Sequence, residues 1–291
     1  MTETQVQPTL ERQLNSAEQP RPELEKLRKE AEQHAQKTLN KDPIAAIEQT
    51  VKAIDSIAAG KTADALQIIE KATGKVDTLL ARNPELALIP VSVEALIIDA
   101  PRDIDEIRKL ADAADAAVSR DDFPAARALL GALRSEIRVR TYNLPLGIYP
   151  TALQEAARQL DQNSQAASRA LLDALNTLLA VDQVTPIPML VAQEAIDKVQ
   201  TRTQEDKNAA RAILETAQLE LDRATALGYA GQDPEYAALQ NDISNLKKQL
   251  KGNEDTSSGF SKLKARLGAF LKRHSDRSAS SKSGQSPTKA A

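Results

Sequence analysis

The sequence of 291 residues contains no cysteine, no tryptophan and only two histidines. Without cysteine the chain can form neither a disulfide framework nor a zinc finger, an iron–sulfur cluster or a thiol nucleophile. His34 and His274 both lie in polar or basic surroundings, so we expect neither a histidine-rich metal site nor a Ser-His-Asp triad. The sequence therefore predicts no metal and no cofactor.

The chain also lacks a large charge of one sign. Its 38 basic and 41 acidic residues give a formal net charge of −3, which argues against a nucleic-acid partner. Pairs of acids such as Asp112 with Asp115 are frequent, and paired carboxylates can perform hydrolysis. Most such pairs on helices are solvated surface. We therefore predict that the chain is not an enzyme and keep a carboxylate-based hydrolase as an alternative to be tested.

Long hydrophobic runs are absent as well. A membrane span needs about 20 apolar residues, and the best candidate, 86–98, is interrupted by Pro90, Ser92 and Glu94. Residues 1–23 are rich in Gln, Glu, Thr and Pro, which predicts a disordered arm. Because this start is unlike a secretory signal, we expect the chain as written to be cytoplasmic, and periplasmic if its true start differs.

Helical periodicity runs through residues 24–251, which define the predicted helical domain. Proline, glycine and capping residues divide this domain into helical hairpins. We predict an all-α fold of stacked helical hairpins, arranged as a bundle or a short solenoid, with disordered termini. The hairpins are expected at 43–80, 101–138, 150–181 and 188–250, with an interruption around 201–205.

Two of the hairpins share sequence. A shift of 42 residues aligns 125–133 with 167–175 and gives seven identities in nine positions. Such a spacing is typical of helical-pair repeats, but alanine- and leucine-rich helices also match through composition alone. An internal duplication and an accidental likeness both stay open.

A proline-containing apolar segment follows each of the first three hairpins. The segments are LALIPVSV at 86–93, VRTYNLPLGIYP at 139–150 and VTPIPM at 184–189. Proline favours an extended residue before it and removes a backbone donor, so these segments cannot lie inside helices. Since they are too apolar for solvated loops, we predict buried extended crossovers whose backbone groups find partners between or beneath the helices.

These crossovers and their flanks resemble the YfdX family of bacterial proteins. The resemblance lies in KATGKVDTLLARNPELALIPVSV (71–93), SEIRVRTYNLPLGIYPTAL (135–153) and ALNTLLAVDQVTPIPMLVAQEAI (174–196), and it covers roughly residues 41–202. It implies a mostly helical, self-associating protein connected with bacterial stress responses. It supplies no catalytic residues, and it does not account for the tail at 252–291.

We therefore predict a non-enzymatic binding or scaffolding protein of a stress response. It is expected to form a homo-oligomer and to bind a small apolar ligand or a partner protein. The first candidate site comprises Tyr142, Asn143, Pro145 and Tyr149. Tyrosine suits pockets and interfaces, so we expect Tyr142 and Tyr149 to line a shared apolar pocket. The alternative is that both rings fill the core while Asn143 satisfies a turn or a helix end.

The second candidate site is a basic amphipathic helix at 259–274. Such a helix suits an anionic membrane surface or a partner's groove, and peripheral membrane association through it is our alternative function. It could equally dock on the chain's own helices or on another subunit, or stay disordered. Its apolar stripe consists of Phe260, Leu263, Leu267, Phe270 and Leu271, and its basic side of Lys262, Arg266, Lys272 and Arg273.

Overall fold

The computed structural model describes residues 22–202, 207–229, 233–252 and 256–280. Most of the predicted arm at 1–23, most of the predicted interruption at 201–205 and the end of the tail lie outside these ranges. The described residues form eleven helices and three strands. The prediction of a mostly helical chain is confirmed.

Three helical hairpins are each followed by one strand. The helices up to the third strand are α1 (Pro22–Gln36), α2 (Lys41–Ala58), α3 (Thr62–Arg82), α4 (Ile104–Val118), α5 (Phe123–Ala132), α6 (Tyr149–Leu160) and α7 (Ser164–Asn176). The strands are β1 (Leu88–Ile98), β2 (Glu136–Pro145) and β3 (Leu179–Pro186). Four helices follow, namely α8 (Ile187–Arg202), α9 (Lys207–Ala226), α10 (Pro234–Gly252) and α11 (Ser257–Ser280).

The three strands form one antiparallel sheet in the order β1-β2-β3. The chain is therefore mostly helical, as predicted, but it is not purely all-α. The crossovers are extended, as the prolines predict, but their backbone groups find partners in one another. Extended segments that must hide their N–H and C=O groups can satisfy them by strand pairing.

Two helices end earlier than predicted, because the residues that follow them pair in the sheet. The hairpins at 101–138 and 150–181 were expected to be helical to their ends, whereas α5 ends at Ala132 and α7 at Asn176. The residues that follow start β2 and β3. Alanine and leucine continue the helical pattern up to these points, and strand pairing then overrides it.

The described residues divide into two compact units. The central unit comprises Lys29–Ala95 and Val139–Asp182, and the terminal unit comprises Leu96–Arg138 with the described residues up to Arg28 and from Gln183 onward. Each strand passes from one unit into the other. The predicted domain limits at residues 23 and 251 stay predictions.

Four helices, α2, α3, α6 and α7, build the core of the central unit. Hairpin α2–α3 packs on hairpin α6–α7 through α3 with α6 and α2 with α7. Fully buried alanines line these contacts, and small side chains let helix axes approach closely. These alanines are Ala46, Ala53, Ala65, Ala72, Ala156, Ala167 and Ala174.

The terminal unit has two apolar clusters. The larger one joins α8, α9, α10 and α11. A smaller one lies within hairpin α4–α5, and α4 also contacts α9. Asp103 and Asp122 begin the two helices of this hairpin, since their carboxylates accept hydrogen bonds from backbone N–H groups of the first turn. Leu110 and Leu129 are the largest members of its core.

Gly74 lies in the interior of α3, and a Cβ added there would meet nothing within 4 Å. Glycine in a helix interior destabilises by about 0.5–1 kcal/mol relative to alanine. Gly74→Ala is therefore expected to raise the free energy of unfolding by about that amount, as measured by urea titration.

The matched control is Gly60, in the turn between α2 and α3, where φ is +72°. A left-handed backbone disfavours any Cβ, so Gly60→Ala should lower the free energy of unfolding by about 1 kcal/mol. Equal effects of the two substitutions would contradict this account of Gly74.

Candidate functional site

A cluster of charged side chains lies on the sheet within the central unit. Arg140 of β2 donates from Nε to Asp182 Oδ1 at 2.8 Å and from Nη2 to Asp182 Oδ2 at 3.2 Å. Its Nη1 lies 3.7 Å from Oε1 of Glu94 on β1. The guanidinium thus links both outer strands to the central one. Hydrogen bonding to Asp182 raises the pKa of Arg140 further above its ordinary value, so the group stays charged.

Tyr142 adds a hydroxyl group to this cluster, which it donates to Glu94 Oε1 at 3.0 Å. Its ring packs at the margin of the core of the central unit. The residue therefore lies on the same face of β2 as Arg140, because side chains two residues apart on a strand share a face. Glu94 consequently has two hydrogen-bonding or ionic partners on β2.

Asn143 is buried and ties β2 to β3. Its amide Nδ2 donates to the carbonyl oxygen of Thr141 at 3.0 Å and to that of Leu179 at 3.2 Å. Pro145 is also buried and ends β2. Asn143 thus satisfies backbone carbonyls, although these belong to strands and not to the turn or helix end considered in the sequence analysis.

Tyr149 opens α6 and has no exposed surface. Its hydroxyl donates to Oγ1 of Thr50 on α2 at 2.7 Å. Burial raises the pKa of Tyr149 to about 12. Because the hydroxyls of Tyr142 and Tyr149 have different partners, on a strand and on a helix respectively, the shared apolar pocket stays a prediction.

A second polar network surrounds Arg223 of α9 in the terminal unit. Arg223 is 1% exposed, and it joins α9 to the segment after β1 and to the residue that precedes β2. Ser135 belongs to the same network, since its N–H donates to the hydroxyl of Tyr229 at 2.8 Å. The guanidinium donates to Asp99 Oδ1 (2.7 Å), Ala100 O (2.7 Å), Pro101 O (3.1 Å), Ser135 Oγ (3.1 Å) and Glu220 Oε2 (3.3 Å).

Arg223 is not among the residues predicted from the sequence. The surrounding pattern offers a weak signal, because Arg223 stands between the buried residues Leu221 and Ala224 and so lies at the edge of the apolar stripe of α9. Arginines at such positions usually extend their charge into water. Only the distant partners Asp99 and Ser135 make this one a buried group.

A cleft of about 340 Å³ lies between α3 and α6 of the central unit. Glu70, Thr73 and Asp77 of α3 line one wall, with Gly74 between them, and the other wall includes Ala157 of α6. Two carboxylates at the rim would favour a cationic or polar ligand. None of the residues predicted as sites from the sequence lines this cleft.

The part of the chain that the structure describes contains no group of three or more acidic or histidine side chains arranged to hold a metal ion. Across the same ranges, no helix combines the length and the apolar character that crossing a membrane would require.

The predicted amphipathic helix at 259–274 is present within α11, which is longer at both ends. Its apolar stripe is buried in the larger cluster of the terminal unit, where α11 contacts α8 and α10. The five stripe residues are Phe260, Leu263, Leu267, Phe270 and Leu271. The stripe therefore contacts the chain's own helices, which is the self-docking alternative. Binding to an anionic membrane would require its release and stays a prediction.

The basic side of α11 is partly engaged by carboxylates of α10. Asp242 pairs with Arg266 at 2.6 Å and with Lys262 at 3.6 Å. Arg273 pairs with Glu235 at 2.5 Å, which lowers the pKa of that carboxyl. Lys272 is exposed. These pairs hold α11 in one orientation against α10.

The fold and these sites define a helix-rich protein in which each of three successive helical hairpins is followed by one strand of a small antiparallel sheet. Residues 46–184 match the family model described as YfdX protein. This segment of the chain, which runs from within α2 to within β3, belongs to the YfdX family. The resemblance stated from the sequence is confirmed.

Among solved structures, the chain is similar to YfdX from Salmonella Typhi. The two share 12% sequence identity with a TM-score of 0.35, over 51% of this chain and 93% of that one. No curated protein sequence matches the chain.

Proposed function

We propose that the chain is a non-enzymatic binding or scaffolding protein of a bacterial stress response, which associates with itself and acts through apolar contacts. The observation that carries the proposal is a line of large apolar side chains exposed on hairpin α4–α5. Membership of the YfdX family supports the same proposal, because the resemblance implies self-association and a connection with stress.

The exposed line consists of Val118, the last residue of α4, and of Phe123 and Leu130 on α5. Phe123, Arg127 and Leu130 share one face of α5, since they are four and three residues apart. Phe123 is 53% exposed and Leu130 is 54% exposed. The opposite face of α5 packs into the small core of the hairpin. Large apolar groups that stay exposed together on a folded helix favour an interaction surface.

The charged cluster on the sheet supports a role without catalysis. Both of its carboxylates, Glu94 and Asp182, face the guanidinium of Arg140. Bridging of three strands by one guanidinium stabilises the sheet and its register.

Complementation in the source bacterium tests the proposal. Deletion of the gene is expected to lower survival under at least one condition of a panel of acid, oxidant and antibiotic stresses, and the intact gene to restore it. A gene carrying Phe123→Ser and Leu130→Ser should fail to restore survival, because both changes remove apolar contact area without disturbing the buried face of α5.

The matched control is Leu219→Ser on α9, since Leu219 is 57% exposed and lies outside the line on hairpin α4–α5. This variant should restore survival fully. Full restoration by the double variant, with a circular dichroism spectrum like that of the intact protein, would contradict the proposal.

A further inference from the structure

Strand β3 is an edge of the sheet, with β2 as its strand neighbour. Edge strands carry backbone N–H and C=O groups that can pair with another chain, and soluble proteins usually protect them with lysine, proline or a covering element. The first residues of β3 in the central unit have no such protection. Leu179, Ala180 and Val181 are all exposed, although their side chains alternate between the two faces of the sheet.

The opposite edge strand differs. In β1 the two neighbours of Pro90, Ile89 and Val91, are buried, and proline itself removes a backbone donor. Strand β1 also carries an exposed large apolar side chain, Leu96 at 46%, but β3 carries two, Leu179 at 50% and Val181 at 42%, and these two share one face of the strand. A strand with these properties favours pairing with another strand over pairing with water.

The charge of this segment is already neutralised within the chain. Asp182 is the sole charged residue at 179–182, and its carboxylate accepts two hydrogen bonds from Arg140. Two copies of the segment can therefore approach without repulsion between like charges. A partner with a strongly charged strand would gain nothing here, whereas an identical neutral strand is complementary to it.

We infer that β3 pairs antiparallel with β3 of a second copy of this chain, around a twofold axis. The inference rests on the self-association contained in the proposed function and assigns it to a surface. Antiparallel pairing of identical strands makes a closed dimer, which is the commonest symmetry of soluble oligomers.

The register of β3 against β2 indicates which backbone groups meet. The N–H of Ile187 donates to the carbonyl oxygen of Ser135, so alternate residues back along β3 direct their backbone toward β2. Leu179 and Val181 belong to that set, and the backbone of Ala180 faces outward. With Ala180 opposite Ala180, Leu179 of each copy lies opposite Val181 of the other, which pairs the exposed apolar side chains.

Sedimentation velocity of the full chain over a range of concentrations tests the inference. Val181→Lys places like charges close together across the twofold axis and should weaken self-association about tenfold or more. Val51→Lys on α2 is the matched control, because Val51 is 44% exposed in the same unit, and it should leave self-association unchanged. Ala180→Pro removes the outward N–H without touching the pairing with β2, and it should act like Val181→Lys.

The absence of cysteine from the sequence allows a second measurement. Ala180→Cys should yield a disulfide-linked dimer on oxidation, since paired strands bring opposite Cα atoms within disulfide range, whereas Val51→Cys should not. The inference is wrong if folded Val181→Lys and Ala180→Pro self-associate as the intact chain does and Ala180→Cys gives no covalent dimer. That result would leave the self-association in the proposed function standing. A chain that is monomeric at every concentration would overturn both the inference and the self-association in the proposed function.

Discussion

Replacement of Arg223 by alanine is expected to lower the free energy of unfolding by about 3–5 kcal/mol. The guanidinium is buried and saturates two carbonyl oxygens, a serine hydroxyl and the carboxylates of Asp99 and Glu220. Its removal takes away the guanidinium that donates to Asp99, whose side chain is 17% exposed, and leaves the hydrogen bond from Ser135 Oγ to the same carboxylate. Urea titration followed by circular dichroism measures the change.

Arg211→Ala on the same helix is the matched control. Arg211 is 40% exposed and pairs only loosely with Glu215, at 3.6 Å, so its replacement should change stability by no more than about 0.5 kcal/mol. Arg223→Lys should fall between the two, because an ammonium group cannot supply the forked donors of a guanidinium. Equal effects of Arg223→Ala and Arg211→Ala would show that the buried network contributes little.

Truncation of Tyr149 to alanine should cost about 3–5 kcal/mol, as expected for the loss of a buried aromatic ring. Tyr149→Phe keeps the ring and removes only the hydrogen bond to Thr50, so it should cost about 1 kcal/mol. Thr50 retains its own bond to the carbonyl oxygen of Ala46. The difference between the free energies of unfolding of the two variants gives the contribution of ring packing, and the loss in Tyr149→Phe gives that of the hydrogen bond.

The pH dependence gives a second measurement on Tyr149. Its pKa is about 12 in the folded chain and about 10 in an unfolded one, so folding favours the neutral phenol. This contribution is fully present below about pH 10 and is lost as the pH rises toward 12. Tyr149→Phe should therefore flatten the decline of stability above pH 10. Burial also raises the pKa of Tyr229 and Tyr236, so part of the decline should remain.

Tyr142→Phe is the control for both measurements. The hydroxyl of Tyr142 contacts Glu94, whose side chain is 44% exposed, and water can replace that contact. We expect Tyr142→Phe to change the free energy of unfolding by no more than about 0.5 kcal/mol. A larger loss for Tyr142→Phe than for Tyr149→Phe would contradict the assignment of Tyr149 as the buried member of the pair.

Much of the helical part of the fold is predictable from the sequence. The apolar stripes of α2 and α3 follow a helical period, and Gly60 ends the first of them with a positive φ. The extended crossovers are predictable for an equally local reason, because proline at 90 and 145 excludes helix. These features depend on near neighbours in the chain.

The sheet could not be predicted in the same way. Pairing joins residues about 40 positions apart, such as Arg140 with Asp182, and no local pattern in β2 or β3 names the other strand. A short apolar run is compatible with a strand or with a buried crossover.

The candidate sites show the same limit. The sequence places Tyr142, Asn143 and Tyr149 on one crossover, but only the fold shows that Tyr149 contacts Thr50, 99 residues away. Every residue of the apolar stripe on α11 is predictable from the sequence. The surface that covers the stripe is not, since an amphipathic helix can bind a membrane, a partner protein or the core of its own chain. For Arg223 the local signal is weak, since only its place between the buried residues Leu221 and Ala224 sets it apart from surface arginines.

The interleaving of the two units has a consequence for synthesis on the ribosome. The central unit has all of its residues once Asp182 is made, whereas the terminal unit needs residues from α8 to α11. At 5–20 residues per second, the remaining chain takes roughly 5–20 s to emerge. Hairpin α4–α5 lacks its contact with α9 until the chain has been made as far as Ala226. Newly made molecules therefore pass through a stage in which the central unit has all of its residues and the terminal unit is incomplete. During this stage the apolar groups of the terminal unit are accessible to chaperones.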